Sequence, residues 1–302
     1  MAKKYFPYFV IATIVTTLLL IFIGGLVRAS GAGLGCPDWP KCFGLLIPPT
    51  SAADLPPGFD PDQFNVVHTW TEFINRLFGA LVGLFSLITA VLSLWYLKTN
   101  RSIPIVAWLV VVMVGFQAWL GGQVVLSALE QNMITLHLFM AMLIFGTLVF
   151  LGWKTLKNNY TFEFTDKQGK SIFVIALVLT LFTAIQILLG SQVREALDLV
   201  DQSLPRSIWL EQVGLINQMH RSFSWIVLFS AIYLFWFTKK EILSENIKWL
   251  SKMALGLVLA QIFTGVVLAY GGLPATFQVL HLGLSSMLLI PMFILIFISK
   301  DT

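Results

Sequence analysis

Apolar residues dominate eight long stretches, at about 6–27, 66–97, 103–124, 133–153, 171–192, 213–237, 248–270 and 275–298. Each is close to or above the ~20 residues that a helix needs to cross a bilayer core. The pattern therefore predicts an all-α, polytopic membrane protein with eight transmembrane helices. Lys3 and Lys4 precede the first stretch as in a signal peptide. The stretch is longer than a normal signal core and lacks a clean small-x-small cleavage site, so it is read as a helix.

Polar residues inside such helices are costly and are functional hypotheses by default. Here they recur at a near-constant offset. Asn75-Arg76 matches His220-Arg221, Gln117-x-x-x-Gly121 matches Gln261-x-x-x-Gly265, and His137-Leu138 matches His281-Leu282, all 144 or 145 residues apart. Gly24-x-x-Val27-Arg28 matches Gly190-x-x-Val193-Arg194 at 166, because the first half has a longer first loop. A repeat of this kind predicts two pseudo-symmetric four-helix bundles, 1–158 and 159–302, related by an axis along the membrane normal.

Composition agrees: the chain is 57% hydrophobic and 11% charged, with a mean hydropathy of +0.84. The net charge of +4 is spread over short loops and predicts no nucleic-acid partner. Lys and Arg cluster on the side of the N-terminus, while only Arg28, Lys41, Arg194 and Arg206 fall opposite. By the positive-inside rule both termini are cytoplasmic, and the loops 28–65 and 193–212 are outside. Cys36 and Cys42 lie in the outer loop 28–65, where a disulfide is plausible as a structural staple or as a redox-active pair.

All four histidines sit in the outer halves of even-numbered helices. His220 and His281 lie at matched depth, roughly 10 Å into their spans at ~1.5 Å per residue. Two imidazoles on different helices suit axial ligation of one haem iron, with Phe223, Trp225 and Phe277 as walls. Copper or zinc would ask for three or more clustered ligands. In the first half, His137 is paired with Asn75, a poor iron ligand. His68, Glu72 and Asn75 share one face of the second helix. That leaves either an open axial side or His68 as the substitute ligand. Glu72 reads as a salt-bridge partner of Arg76 or as a proton acceptor beside a reacting group. Arg76 and Arg221 suit haem propionates, and Gln117, Gln186 and Gln261 with Gly121, Gly190 and Gly265 read as packing and interhelical hydrogen bonds.

Taken together, Gly24-Gly25-Leu26-Val27-Arg28-Ala29-Ser30-Gly31-Ala32-Gly33-Leu34-Gly35-Cys36-Pro37-Asp38-Trp39-Pro40-x-Cys42, Glu72-x-x-Asn75-Arg76, Leu136-His137, His220-Arg221 and Leu280-His281 resemble the heme A synthase family over nearly the whole chain. The resemblance implies a membrane oxidoreductase that oxidises the methyl group of heme O to the formyl group of heme A for terminal oxidases. It implies a haem b held by His220 and His281 in the C-terminal half. It also implies heme O as substrate near His137 in the N-terminal half, with Glu72 important for catalysis and the cysteine loop contributing on the outer face. A bacterial-type inner membrane, a heme O synthase as supplier and the oxidase assembly machinery as recipient follow, with further copies of the chain as an optional partner. The family pattern Glu-x-x-His-Arg reads Glu72-x-x-Asn75-Arg76 here. Two rivals are a two-haem electron-transfer cytochrome and, disfavoured by its unbroken helices, a haem transporter.

Overall fold

The computed structural model describes residues 2–157, 160, 162–201 and 203–300. These residues form α1 (Ala2–Ala29), α2 (Val66–Ser93), α3 (Ser102–Leu126), α4 (Gln131–Leu156), α5 (Asp166–Asp198), the single turn α6 (Trp209–Gln212), α7 (Leu215–Lys240), α8 (Glu245–Tyr270) and α9 (Ala275–Lys300). Apart from α6, all are long and apolar enough to cross a membrane, so the chain is a multi-pass membrane protein. Large apolar side chains such as Ile105, Val112, Phe229 and Phe263 stay more than 60% exposed, as lipid-facing positions must.

Local chemistry sets the ends of these helices. The Asn65 side chain accepts the His68 amide and starts α2. Thr165 and Gln168 form a reciprocal capping box at the start of α5. Arg28 in the last turn of α1, and Lys239 and Lys240 in the last turn of α7, complement the negative helix ends. One helix is longer at both ends than expected: α5 runs from Asp166 to Asp198 rather than over 171–192. The capping box extends its start. At its end, Arg194 pairs with Asp198 one turn on, while Val193 and Leu197 bury against Trp209 and Leu273. Arg194 therefore belongs to a helix and not to a loop.

The chain divides into two compact units, Met1–Leu151 and Gly152–Thr302. In the first, Phe6 and Val10 of α1, Ala90 of α2, Ile103 and Ala107 of α3 and Leu151 of α4 share one core cluster. A second cluster joins Val110 of α3 to Ile144 and Leu148 of α4. In the second unit, α5 packs on α7 and α9, and α8 packs on the same two, which closes a ring of four. The turns α3–α4 and α8–α9 share a backbone signature. Ala128-Leu129 and Gly272-Leu273, 144 residues apart, all have positive φ.

The outer loop of the first unit builds a small core of its own. Cys36 and Cys42 are disulfide-bonded, and the backbone of Cys42 pairs with Leu45. Phe43 packs beside them, with Phe59 and Phe64 edge-on to its ring.

Candidate functional site

In the second unit, α7 presents His220 and α9 presents His281, with ring centroids 6.3 Å apart and planes inclined by 69°. Two metal–imidazole bonds of about 2 Å and two ring radii of about 1 Å together span about 6 Å, so one iron fits between the rings. Axial imidazoles turn freely about the iron–nitrogen bond, so the inclination is compatible with this.

The surroundings of each ring are specific. Gln186 of α5 donates to the His220 carbonyl at 2.9 Å, and Gln261 of α8 donates to the His281 carbonyl at 2.6 Å. Gly190 and Gly265 leave room for the rings: a Cβ built on either would lie 3.1 or 3.5 Å from the imidazole Cε1. Thr264 Oγ1 lies 2.8 Å from His281 Nδ1 and also donates to the Gln261 carbonyl at 2.9 Å. With its hydroxyl proton on the Gln261 carbonyl, Thr264 accepts from a protonated Nδ1. Nε2 of His281 then carries a bare lone pair, which is the tautomer that a metal ligand needs.

Arg221 follows His220 and borders a cleft of about 400 Å³ that Asn217, Gln218 and Tyr270 also line. Its guanidinium donates to the Tyr270 hydroxyl at 3.1 Å. Its other donors have no protein partner among the described residues, so it can receive a carboxylate.

The first unit repeats part of this arrangement. Gln117 of α3 donates to the His137 carbonyl at 3.0 Å, and a Cβ on Gly121 would lie 3.3 Å from His137 Cε1. Asn75 of α2 faces Gly24 of α1. His68 lies in the first turn of α2, and its carbonyl is so close to Gly35 that a Cβ on that residue would overlap it.

Glu72 and Arg76 do something different. Glu72 is 3% exposed. One of its carboxylate oxygens accepts the Cys36 amide at 2.7 Å, and the other accepts both Nε and Nη2 of Arg76. Arg76 also donates to the carbonyls of Asp38 at 2.8 Å, Lys41 at 2.7 Å and Cys36 at 3.3 Å. A guanidinium has five N–H donors, and these five bonds use all of them. Thr69 adds a bond to the Gly35 carbonyl at 2.8 Å. The Asp38 carboxylate turns inward to accept the amides of Phe43 and Gly44. Trp39 lies flat against Gly122 of α3, where no larger residue would fit without movement. A buried ion pair thus staples the disulfide loop onto α2.

A sequence family described as cytochrome oxidase assembly protein (COX15-CtaA) matches residues 7–293. The chain belongs to this family. Among curated relatives, the chain is 28% identical to a heme A synthase of Shewanella oneidensis, over 92% of each chain. It is 25% identical to a heme A synthase of Pelagibacter ubique, over 97% of this chain and 96% of that one. It is 21% identical to a heme A synthase of Listeria monocytogenes, over 92% and 90% respectively.

Against that family background, His220 and His281 meet within one unit, as their matched depth predicts. Glu72 and Arg76 meet as the i, i+4 ion pair that their spacing predicts. The expectation that Arg76 is open to a propionate does not match its surroundings, because its donors are committed to Glu72 and the loop carbonyls; Arg221 keeps donors to spare. The sequence predicts packing and interhelical hydrogen bonds for the glutamines and glycines, without saying what they meet, and such bonds are present. The structure aims each of them at a histidine, and the Gln-x-x-x-Gly spacing was the available signal. Thr264 was missed, since one threonine in an apolar helix carries no signal until its neighbour is known.

Proposed function

We propose that this chain is a heme A synthase, oxidising the methyl group of heme O to the formyl group of heme A. The observation that carries the reading is the His220–His281 pair, whose 6.3 Å separation suits one iron, in a chain of this family. A haem b bound there supplies an electron-transfer centre. His220 and His281 would hold its iron, Thr264 would orient His281, and Arg221 would receive a propionate. The N-terminal half receives heme O through His137. Glu72 lies three residues before Asn75 on α2 and is assigned to holding charge or a proton near the substrate, while Arg76 holds its carboxylate in position.

Lysine and arginine bias puts both termini in the cytoplasm and the disulfide loop on the outer face of a bacterial-type inner membrane. The substrate comes from a heme O synthase, and the product goes to terminal oxidase assembly.

The test is chromatography of haems extracted from protein produced together with a heme O synthase. Glu72→Gln keeps an acceptor for the Cys36 amide but removes the charge. Heme A in wild type and unconverted heme O in Glu72→Gln are the expected result. Haem b alone in both, with heme O present in the membranes, would overturn the reading in favour of an electron-transfer cytochrome.

A further inference from the structure

A glycine-faced seat occurs four times: three hold His137, His220 and His281, and one holds an asparagine. Gly190 faces His220, Gly265 faces His281 and Gly121 faces His137, each with the imidazole Cε1 toward the glycine. Gly24 faces Asn75 in the same way, with Oδ1 3.8 Å from where a Cβ would stand. Gly24 and Gly190 are repeat partners, as are Asn75 and His220. Asn75 therefore occupies in the first unit the place of His220 in the second.

The polar atoms there are unsatisfied. Asn75 Oδ1 is buried without a hydrogen-bond partner, and so are the Nδ1 atoms of His137 and His220 at their own seats; what sets the Asn75 seat apart is that no imidazole stands in it. Buried polar atoms in native proteins are nearly always paired, so an orphan at such a seat points to a missing ligand or water. A carboxamide oxygen is a weak donor to iron, whereas imidazole suits it. His68 does not repair the loss. It lies seven residues earlier on α2, roughly 10 Å along the axis. Its amide is held by Asn65 at 3.1 Å, and its carbonyl is packed on Gly35.

We propose that the N-terminal site holds its haem through one protein ligand, His137, and that the side facing Asn75 is an open coordination position able to take a small nitrogen-donor ligand of the imidazole class. This rests on the reading of the N-terminal half as haem-binding. The second unit, with both seats filled by histidine, has no such opening.

The experiment uses full-length protein purified from cells that make heme O, oxidised to the ferric state, with imidazole itself as the probe. Absorption and electron paramagnetic resonance read the spin state, and pigment analysis counts the haems. The expected result is one low-spin haem that ignores imidazole and one high-spin haem that becomes low-spin as imidazole is added. Asn75→His should make the second haem low-spin without imidazole. Two low-spin haems, unaffected by imidazole and unchanged in Asn75→His, would overturn the open position while leaving the haem site in place. A low-spin haem that turns high-spin only in His68→Ala would name His68 as the ligand and also overturn it. A single haem per chain, lost in His281→Ala, would remove the N-terminal haem reading and this inference with it.

Discussion

Replacing Arg76 with alanine should release the outer loop. The side chains of Arg76 and Glu72 are only 15% and 5% exposed. Removing the guanidinium strands a buried carboxylate and leaves the carbonyls of Cys36, Asp38 and Lys41 without their donor. Breaking a buried ion pair from one side costs about 3–5 kcal/mol. That cost falls on local opening of the loop rather than on the helices, because three of the five bonds lead into the loop. Cys36 and Cys42 are 0% and 1% exposed, so a reductant in water reaches their disulfide only when the loop opens. A loss of about 3 kcal/mol, at about 1.4 kcal/mol per tenfold, raises the open population on the order of 100-fold. The assay is the rate of disulfide reduction by a water-soluble phosphine, read by thiol labelling and mass spectrometry in detergent. Arg76→Ala should react on the order of 100-fold faster than wild type. Arg76→Lys should fall between them, since lysine keeps the charge but has three donors for four acceptor oxygens. Lys248→Ala serves as a control. It breaks an exposed pair with Glu245, worth about 0–1 kcal/mol at most, and should leave the rate unchanged. Reduction of Arg76→Ala at the wild-type rate would refute the clamp.

Two further substitutions test the second unit. Gly190→Ala puts a Cβ 3.1 Å from His220 Cε1, whereas Gly265→Ala puts one at an ordinary 3.5 Å from His281. The first should disturb the low-spin haem spectrum and the second should not, and equal effects would contradict the seating geometry. Thr264→Val removes the acceptor of His281 Nδ1–H. Because such partners raise ligand basicity, the midpoint potential of the haem proposed between His220 and His281 should rise in a redox titration, and Thr264→Ser should restore it. An unchanged potential in Thr264→Val would leave that hydrogen bond without influence on the iron.

Much of the molecule can be read from one dimension because a membrane imposes strong local rules. A helix in hydrocarbon must satisfy its own backbone and cover itself with apolar side chains, so helix number and approximate ends appear directly in the pattern. Polar residues are rare there, which is why His137, His220, His281, Glu72 and Arg76 stand out without any contact being known. The i, i+4 spacing of Glu72 and Arg76 also makes their pairing local, hence legible. The extension of α5 to Asp198 is less visible, since Arg194 and Asp198 look like loop residues until their pairing, and the burial of Val193 and Leu197, are seen.

Tertiary structure alone decides which donors meet which acceptors across helices. The spacing Gln261-x-x-x-Gly265 determines that both residues share a face of α8; only packing against α9 determines that this face meets His281, with Thr264 beside its Nδ1. Likewise, two arginines in equivalent sequence positions acquire different fates. Arg76 is saturated by a loop folded over it, and Arg221 borders an open cleft. The repeat specifies the helices and the seats. Arg76 grips the irregular loop through backbone carbonyls, which every residue type possesses, so the sequence does not show which loop residues accept its bonds.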